Sequence, residues 1–230
     1  MRILFMGTPD IAAESLNALI AAGHDICAVF TRADKPVGRK QILTAPPVKQ
    51  TAEANGIPVY QPRTLRDGSS DELIKSLAPD IIVVVAYGCI IPPQLLHVAK
   101  YGCINLHVSL LPKYRGSAPI QWAVLNGFDE TGVTAMYMSA RMDEGDMIAV
   151  KKTAILPDET SEALTARLAE LGAELLSETV HAAEAGTIQA VPQDAERATY
   201  APMLTKALSP IDWTKTCRQI QDQVRGLIPW

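Results

Sequence analysis

The sequence predicts an α/β protein in which a mostly parallel, twisted sheet carries helices on both faces. Two observations lead to this prediction. Short apolar runs alternate with amphipathic segments along most of the 230 residues, which is typical of successive βαβ units. The most apolar run, Ile81 to Val85, has no polar residue on either face, as expected of a strand at the centre of a sheet covered by helices.

The first βαβ unit is predicted at the amino terminus. Residues 2–6 form an apolar strand, a helix follows with Thr8 as its N-cap and Pro9 at its first position, and residues 26–30 begin the next strand. A dinucleotide-binding turn would carry the sequence G-x-G-x-x-G, whereas only Gly7 is present here. We therefore expect a Rossmann-like sheet that binds neither nicotinamide nor flavin.

The alternation continues along the chain. Further strands are predicted at residues 57–60, 80–86, 102–107, 131–138 and 147–153, and further helices at 48–55, 70–77, 118–125 and 161–183. A last helical pattern follows Trp213, and we expect Trp213 and Trp230 to be exposed near its two ends.

Composition excludes several classes of protein. A net charge of −4 with 20% charged residues gives no overall sign of nucleic-acid binding. The four cysteines lie far apart and form no C-x-x-C pair, so we expect neither a metal site nor a disulfide framework, and a reducing cytoplasmic setting fits best. No signal-peptide pattern follows Met1, and the longest apolar stretch, residues 81–87, is far too short to span a bilayer. We therefore expect no membrane partner.

One segment departs from the acidic balance of the chain. Residues 31–50 carry five basic residues against the single acid Asp34, a net charge of +4. Its Arg32, Lys35, Arg39 and Lys40 could contact a phosphate backbone, whereas the absence of aromatic residues argues against base stacking. A solvated basic loop without a partner is the alternative.

The candidate chemistry lies in the run from Gly102 to Gly116 and at Asp143. Asn105 and His107 are two residues apart in a predicted strand, so their side chains face the same side, about 6–7 Å apart along it. An amide that stabilises a developing oxyanion and an imidazole that moves protons suit reactions at a carbonyl carbon. The alternative is a strand end whose polar side chains only hydrogen-bond to loops.

A serine hydrolase triad is a second interpretation of this region. It would use Ser109, His107 and Asp143. Ser109, however, lies on the same strand as His107 or in the loop after it, and it lacks the G-x-S-x-G elbow that presents a nucleophile. We reject the hydrolase interpretation on this geometry.

Five stretches of the chain resemble a known protein family. They are residues 5–9, residues 36–39 with 46–49, residues 85–88, residues 105–112 with 115–119, and residues 142–146. In order and spacing they resemble the 10-formyltetrahydrofolate-dependent formyltransferases. The Gly-Thr-Pro start and the basic Pro-x-Gly-Arg loop are similar to the members of that family that act on methionyl-tRNA. The resemblance implies the formyltransferase fold.

The resemblance also implies a reaction. A formyl group would pass from the co-substrate 10-formyltetrahydrofolate to the α-amine of methionine on initiator tRNA, through a tetrahedral intermediate and without a metal. Asn105 would donate to the oxyanion, and His107 would serve it too when protonated or relay the amine proton. Asp143 would orient the imidazole and favour its protonated form. An amine of a nucleotide sugar as acceptor, or a non-catalytic module that binds folate or tRNA, remain the alternatives.

Binding residues are implied in the same way. Arg39, Lys40 and Lys35 are expected to contact the tRNA. The folate is expected at the carboxyl ends of the strands at 81–86 and 102–107. Its expected contacts are Tyr87, Gly88, Cys89, Ile90, Ile91, Pro92, Ser109, Leu110, Leu111, Pro112, Ala140, Arg141 and Met142.

The expected organisation has three parts. Residues 1–200 form a catalytic domain, residues 201–208 a linker, and residues 209–230 the first part of a truncated tRNA-binding domain. We expect a monomer whose partners are initiator methionyl-tRNA and the folate.

Overall fold

The computed structural model describes residues 1–230 and confirms the α/β class. Its strands are, in chain order, β1 (Arg2–Gly7), β2 (Asp25–Phe30), β3 (Lys35–Val37), β4 (Ile42–Thr44), β5 (Val59–Tyr60), β6 (Ile81–Val85), β7 (Cys103–His107), β8 (Arg115–Gly116), β9 (Glu130–Tyr137), β10 (Met147–Ala154) and β11 (Tyr200–Ala201). Its α-helices are α1 (Asp10–Ala21), α2 (Pro47–Ala54), α3 (Asp71–Ser76), α4 (Pro119–Leu125), α5 (Ser161–Ala185) and α6 (Cys217–Leu227). None of these helices is both long enough and apolar enough to cross a membrane.

Seven strands form the central sheet in the order β10-β9-β7-β6-β1-β2-β5. The five strands from β7 to β5 in that order run parallel, and β9 and β10 add an antiparallel edge. β6 lies between β1 and β7, and all five of its residues are buried. The prediction of a mostly parallel sheet with residues 81–85 at its centre is confirmed.

Helices cover both faces of the sheet, as predicted. On β7 the alternation of side chains sends Ile104 and Leu106 into the larger core, which α1, α2, α4 and α5 cover. Cys103 enters the smaller core on the opposite face, together with residues of α3. Gly172 allows α5 to lie close to β7, because a Cβ there would be 2.7 Å from Leu106 Cδ2.

The start of α1 differs from the prediction. The helix begins at Asp10, with Pro9 at the N-cap position and no side-chain cap. The Thr8 hydroxyl instead donates to the carbonyl of Tyr87, at 2.9 Å. A partner 79 residues away takes the hydroxyl that would have capped the helix, so the predicted Thr8 cap was wrong.

The basic segment contains an element that the sequence did not predict. β3 and β4 pair as an antiparallel hairpin, and all six of their residues are exposed. At its base, Lys49 Nζ lies 2.8 Å from Asp34 Oδ2, which neutralises one of the five basic charges.

The last part of the chain packs on the residues that precede it. β11 pairs with β8, and Ala201, predicted to begin a linker, is fully buried. In α6, Asp222 and Arg225 form a buried ion pair at 2.8 Å, and Arg225 Nη1 also donates to two carbonyls of the loop before α5. Trp213 and Trp230 are exposed, as predicted. The assignment of residues 209–230 to a second domain stays a prediction.

Candidate active site

The carboxyl ends of β6 and β7 lie side by side in the sheet, as the sequence predicted. At this edge Asn105 is half-buried and His107 is buried. β9 pairs with β7, and the loop that leaves β9, residues 138–146, returns to the same end of the sheet. We call this the Asp143 loop. It brings Asp143 next to His107.

His107 and Asp143 face each other across a short gap. The nearest pair of atoms, His107 Nδ1 and Asp143 Oδ1, is 3.8 Å apart, and the two side chains are 7% and 15% exposed. His107 Nε2 lies 2.9 Å from the carbonyl oxygen of Tyr114. Because a carbonyl can only accept, we assign the ring proton to Nε2. Nδ1 of the neutral ring is then a free acceptor, and a proton taken up there would face the carboxylate.

The backbone at Asp143 has an uncommon conformation. Its φ of 54° lies in the left-handed region, which is sparsely populated by residues other than glycine. The second carboxylate oxygen, Oδ2, accepts a hydrogen bond from the backbone N–H of Gly116 at 2.8 Å. Gly145 packs so closely against β9 that a Cβ would overlap the carbonyl oxygen of Tyr137. The loop is therefore tightly constrained at Asp143 and at Gly145, two residues later.

Three further residues at this site, Arg115, Glu144 and Gln193, were not predicted as functional. Arg115 is only 4% exposed, and its Nε and Nη2 donate to Gln193 Oε1 at 3.1 and 2.8 Å. Its Nη1 lies 3.2 Å from Glu144 Oε1. Gln193 Nε2 donates to the carbonyls of Asp143 and Gly145, both at 2.8 Å. Arg115 lies in one of the stretches that carry the family resemblance, residues 115–119. No local pattern singles out Gln193, which lies 50 residues after Asp143.

A cavity of about 340 Å³ opens beside Asp143, between the Asp143 loop and the loop that follows β6. Ile91, Met136 and Met138 contribute to a mostly apolar wall. Six of the residues predicted to contact folate line this cavity: Cys89, Ile90, Ile91, Ala140, Arg141 and Met142. The structure thus brings together the two predicted folate loops, which are about 50 residues apart in sequence.

The other residues predicted to contact folate lie elsewhere. Tyr87 is buried, and burial raises the pKa of its phenol, whose hydroxyl has no hydrogen-bond partner. Gly88 and Pro92 are in the loop after β6 but do not line the cavity. The run Ser109, Leu110, Leu111 and Pro112 does not line it either. Ser109 is fully buried and donates to the carbonyl of Lys113, at 2.7 Å. A folate contact for these seven residues stays a prediction.

The residues predicted to contact tRNA are in the hairpin region. Lys35 is in β3, and Arg39 and Lys40 are in the turn between β3 and β4. All three are exposed, and none lines the cavity beside Asp143.

Comparison with known proteins identifies the family of this chain. A family model described as formyl transferase matches residues 1–180. The fold, the paired His107 and Asp143 and this match define the class: the chain belongs to the formyltransferases. It is 49% identical to the methionyl-tRNA formyltransferase of Alkaliphilus oremlandii and 50% identical to that of Pelotomaculum thermopropionicum, over all 230 residues and 74% and 73% of those proteins. Within the class, the chain belongs to the methionyl-tRNA formyltransferase family.

Solved structures share the fold at much lower sequence identity. An N-formyltransferase from Helicobacter canadensis, in complex with folinic acid and dTDP-3-aminofucose, has a TM-score of 0.77 at 21% identity over 98% of this chain and 80% of its own. HypX from Aquifex aeolicus, in complex with tetrahydrofolic acid, has a TM-score of 0.73 at 17% identity over 98% of this chain and 34% of its own. These likenesses establish the α/β architecture.

Proposed function

We propose that this chain transfers a formyl group from 10-formyltetrahydrofolate to the α-amine of methionine esterified to initiator tRNA. The observation that carries the proposal is the pairing of His107 with Asp143 beside a cavity of about 340 Å³, in a chain about half identical to methionyl-tRNA formyltransferases. All four cysteines are unpaired, which supports a cytoplasmic location. We propose that the protein acts as a monomer.

The reaction requires one oxyanion donor and one route for a proton. Attack by the amine forms a C–N bond at the formyl carbon and turns the formyl oxygen into an oxyanion, to which the Asn105 amide would donate. Collapse of this intermediate breaks the bond to N10 of the folate. The proton lost by the amine is the one that N10 gains, and His107 would carry it on Nδ1 while Asp143 stabilises the charged ring.

The cavity beside Asp143 suits the folate ring system. Apolar side chains on two sides offer contact to a planar ring, and its volume lies within the range of small-molecule sites. Residues 89–91 and 140–143 line it, and their backbone groups could pair with polar ring edges. A folate there would place its formyl group next to the His107–Asp143 pair.

The hairpin supports binding of the second substrate. Lys35, Arg39 and Lys40 are exposed and close in sequence, as expected of side chains that neutralise phosphates. Lys49 is paired with Asp34 and so contributes less to this positive surface. We propose that the three free cations contact the tRNA.

A direct assay tests the proposed function. Formyl transfer from 10-formyltetrahydrofolate is measured with methionyl-tRNA, free methionine and an amino nucleotide sugar as alternative acceptors. We expect transfer to methionyl-tRNA alone. Transfer to the sugar alone would favour the sugar-modifying alternative, which resembles the chemistry named for the Helicobacter canadensis structure. Folate binding without transfer to any acceptor would favour a binding module.

A further inference from the structure

The Asp143 loop owes much of its conformation to residues outside it. Asp143 itself has a φ of 54°, and Arg141 and Met142 before it are exposed. A left-handed backbone at a residue other than glycine costs free energy and persists only where the surroundings determine it. The position of the carboxylate against His107 therefore depends on which groups hold the loop.

Gln193 holds the loop with its whole side-chain amide. Nε2 gives its two protons to the carbonyls of Asp143 and Gly145, and Oε1 accepts both hydrogen bonds from Arg115. Because carbonyls only accept and a guanidinium only donates, these partners allow only one orientation of the amide. Both donor protons and both acceptor positions of the amide are thus used.

Arg115 fixes the amide from the other side. Its guanidinium is buried and also pairs with Glu144, the residue after Asp143. The next residue after Arg115, Gly116, donates its N–H to the Asp143 carboxylate. The two-residue strand β8 therefore supports both the backbone and the side chain of Asp143.

We propose that Gln193, oriented by Arg115, is a positioning residue for formyl transfer: it fixes the Asp143 loop so that the carboxylate faces His107 Nδ1. This inference rests on the proposed function. The same segment reaches His107 as well, because Thr199 Oγ1 accepts from the N–H of Tyr114, whose carbonyl binds His107 Nε2. Residues 193–199 thus hold both members of the pair.

Two substitutions at Gln193 test the proposal in the full chain. Gln193→Ala removes both donors and should lower kcat about 10- to 100-fold, since catalytic geometry tolerates displacements of well under 1 Å. Gln193→Glu keeps an acceptor for Arg115 but turns an oxygen toward two carbonyl oxygens, and it should lower kcat at least as much. A residue that only stabilises the fold through Arg115 predicts the opposite order, with the glutamate variant close to wild type.

A double-mutant cycle shows whether Gln193 acts through Asp143. In an Asp143→Asn background, Gln193→Ala should change kcat by less than about twofold, because residues that act as one unit are not additive. Equal factors in both backgrounds would overturn the proposal. Gln189→Ala is the matched control, since Gln189 is exposed four residues before Gln193, and it should leave kcat and the melting temperature unchanged.

Folding and function are kept separate in this design. Melting temperatures are measured by circular dichroism, and kcat is measured at saturating substrates well below the lowest of them. If Gln193→Ala does not fold, the glutamate variant, which retains the Arg115 contact, decides the outcome through its kcat. A wild-type protein without formyl transfer would refute the proposed function, whereas an active wild type with equally active Gln193 variants would overturn only the positioning role.

Discussion

Replacement of Asp143 by asparagine isolates the charge that faces His107. The amide has nearly the same shape as the carboxylate and can still accept the hydrogen bond from the Gly116 N–H, which is 2.8 Å long in the wild type. The loop, held by Gln193, should therefore keep its conformation. What is lost is the interaction between a negative charge and a proton on His107 Nδ1.

The size of that loss follows from the geometry. Two unit charges 3.8 Å apart interact by about 4 kcal/mol at an effective dielectric constant of about 20. The two side chains are 7% and 15% exposed, so solvent weakens this interaction only in part. With about 1.4 kcal/mol for each factor of ten, we expect Asp143→Asn to lower kcat roughly 10²- to 10³-fold.

Single-turnover formyl transfer to methionyl-tRNA measures this effect on the chemical step. Asp146→Asn is the matched control, because Asp146 is an exposed acid three residues later in the same loop, and it should retain wild-type turnover. The melting temperature of Asp143→Asn should stay close to that of the wild type. A variant with turnover within about fivefold of wild type would show that the carboxylate does not stabilise a charged imidazole in the rate-limiting step.

The remaining predictions concern the amide, the hairpin and two buried charges. Asn105→Ala should lower kcat about 10²-fold or more while folate binding, followed by fluorescence titration, is retained; near-normal turnover would contradict the oxyanion role. Arg39→Ala should raise the KM for methionyl-tRNA and reduce the salt dependence of binding by about one unit of slope, and an unchanged slope would indicate a solvated loop. Arg225→Ala leaves the buried Asp222 of α6 with only the half-exposed Arg218 as a partner and removes two hydrogen bonds to the loop before α5. It should lower the free energy of unfolding by about 3–5 kcal/mol in urea titrations, whereas a loss below about 1 kcal/mol would show that Arg218 and solvent replace Arg225. Hydrogen bonds from Arg167 hold the pKa of the Glu159 carboxyl below its ordinary value, so stability from this group is present above about pH 4.5 and is lost as the pH falls further. Glu159→Gln should therefore flatten the acid limb of the stability curve, and an unchanged limb would contradict this assignment.

The sequence predicted the elements whose signal is local. β6 is uniformly apolar because it is covered on both faces, and that property can be read from five consecutive residues. Asn105 and His107 could be placed on one face from strand periodicity alone. Asp143 was found through the resemblance, and the structure brings it to 3.8 Å from His107.

Features that depend on distant partners were missed. The hairpin of β3 and β4 buries none of its residues, so no alternation of apolar and polar residues marks it. Thr8 has the pattern of a helix cap but donates to the Tyr87 carbonyl, in the loop after the neighbouring strand β6. Gln193 has no neighbour in sequence that reveals its role, since its partners are about 50 and 80 residues earlier.

The pairing of β8 with β11 also determines the order in which the protein can assemble during synthesis. Chains are made from the amino terminus, and early segments can fold before later ones exist. β1, β6 and β7 have all their sheet partners by residue 137. The backbone N–H of Arg115, which donates to Thr199, must wait until some 80 further residues have been made. A nascent chain can therefore complete its sheet well before it can close the site at the edge of that sheet.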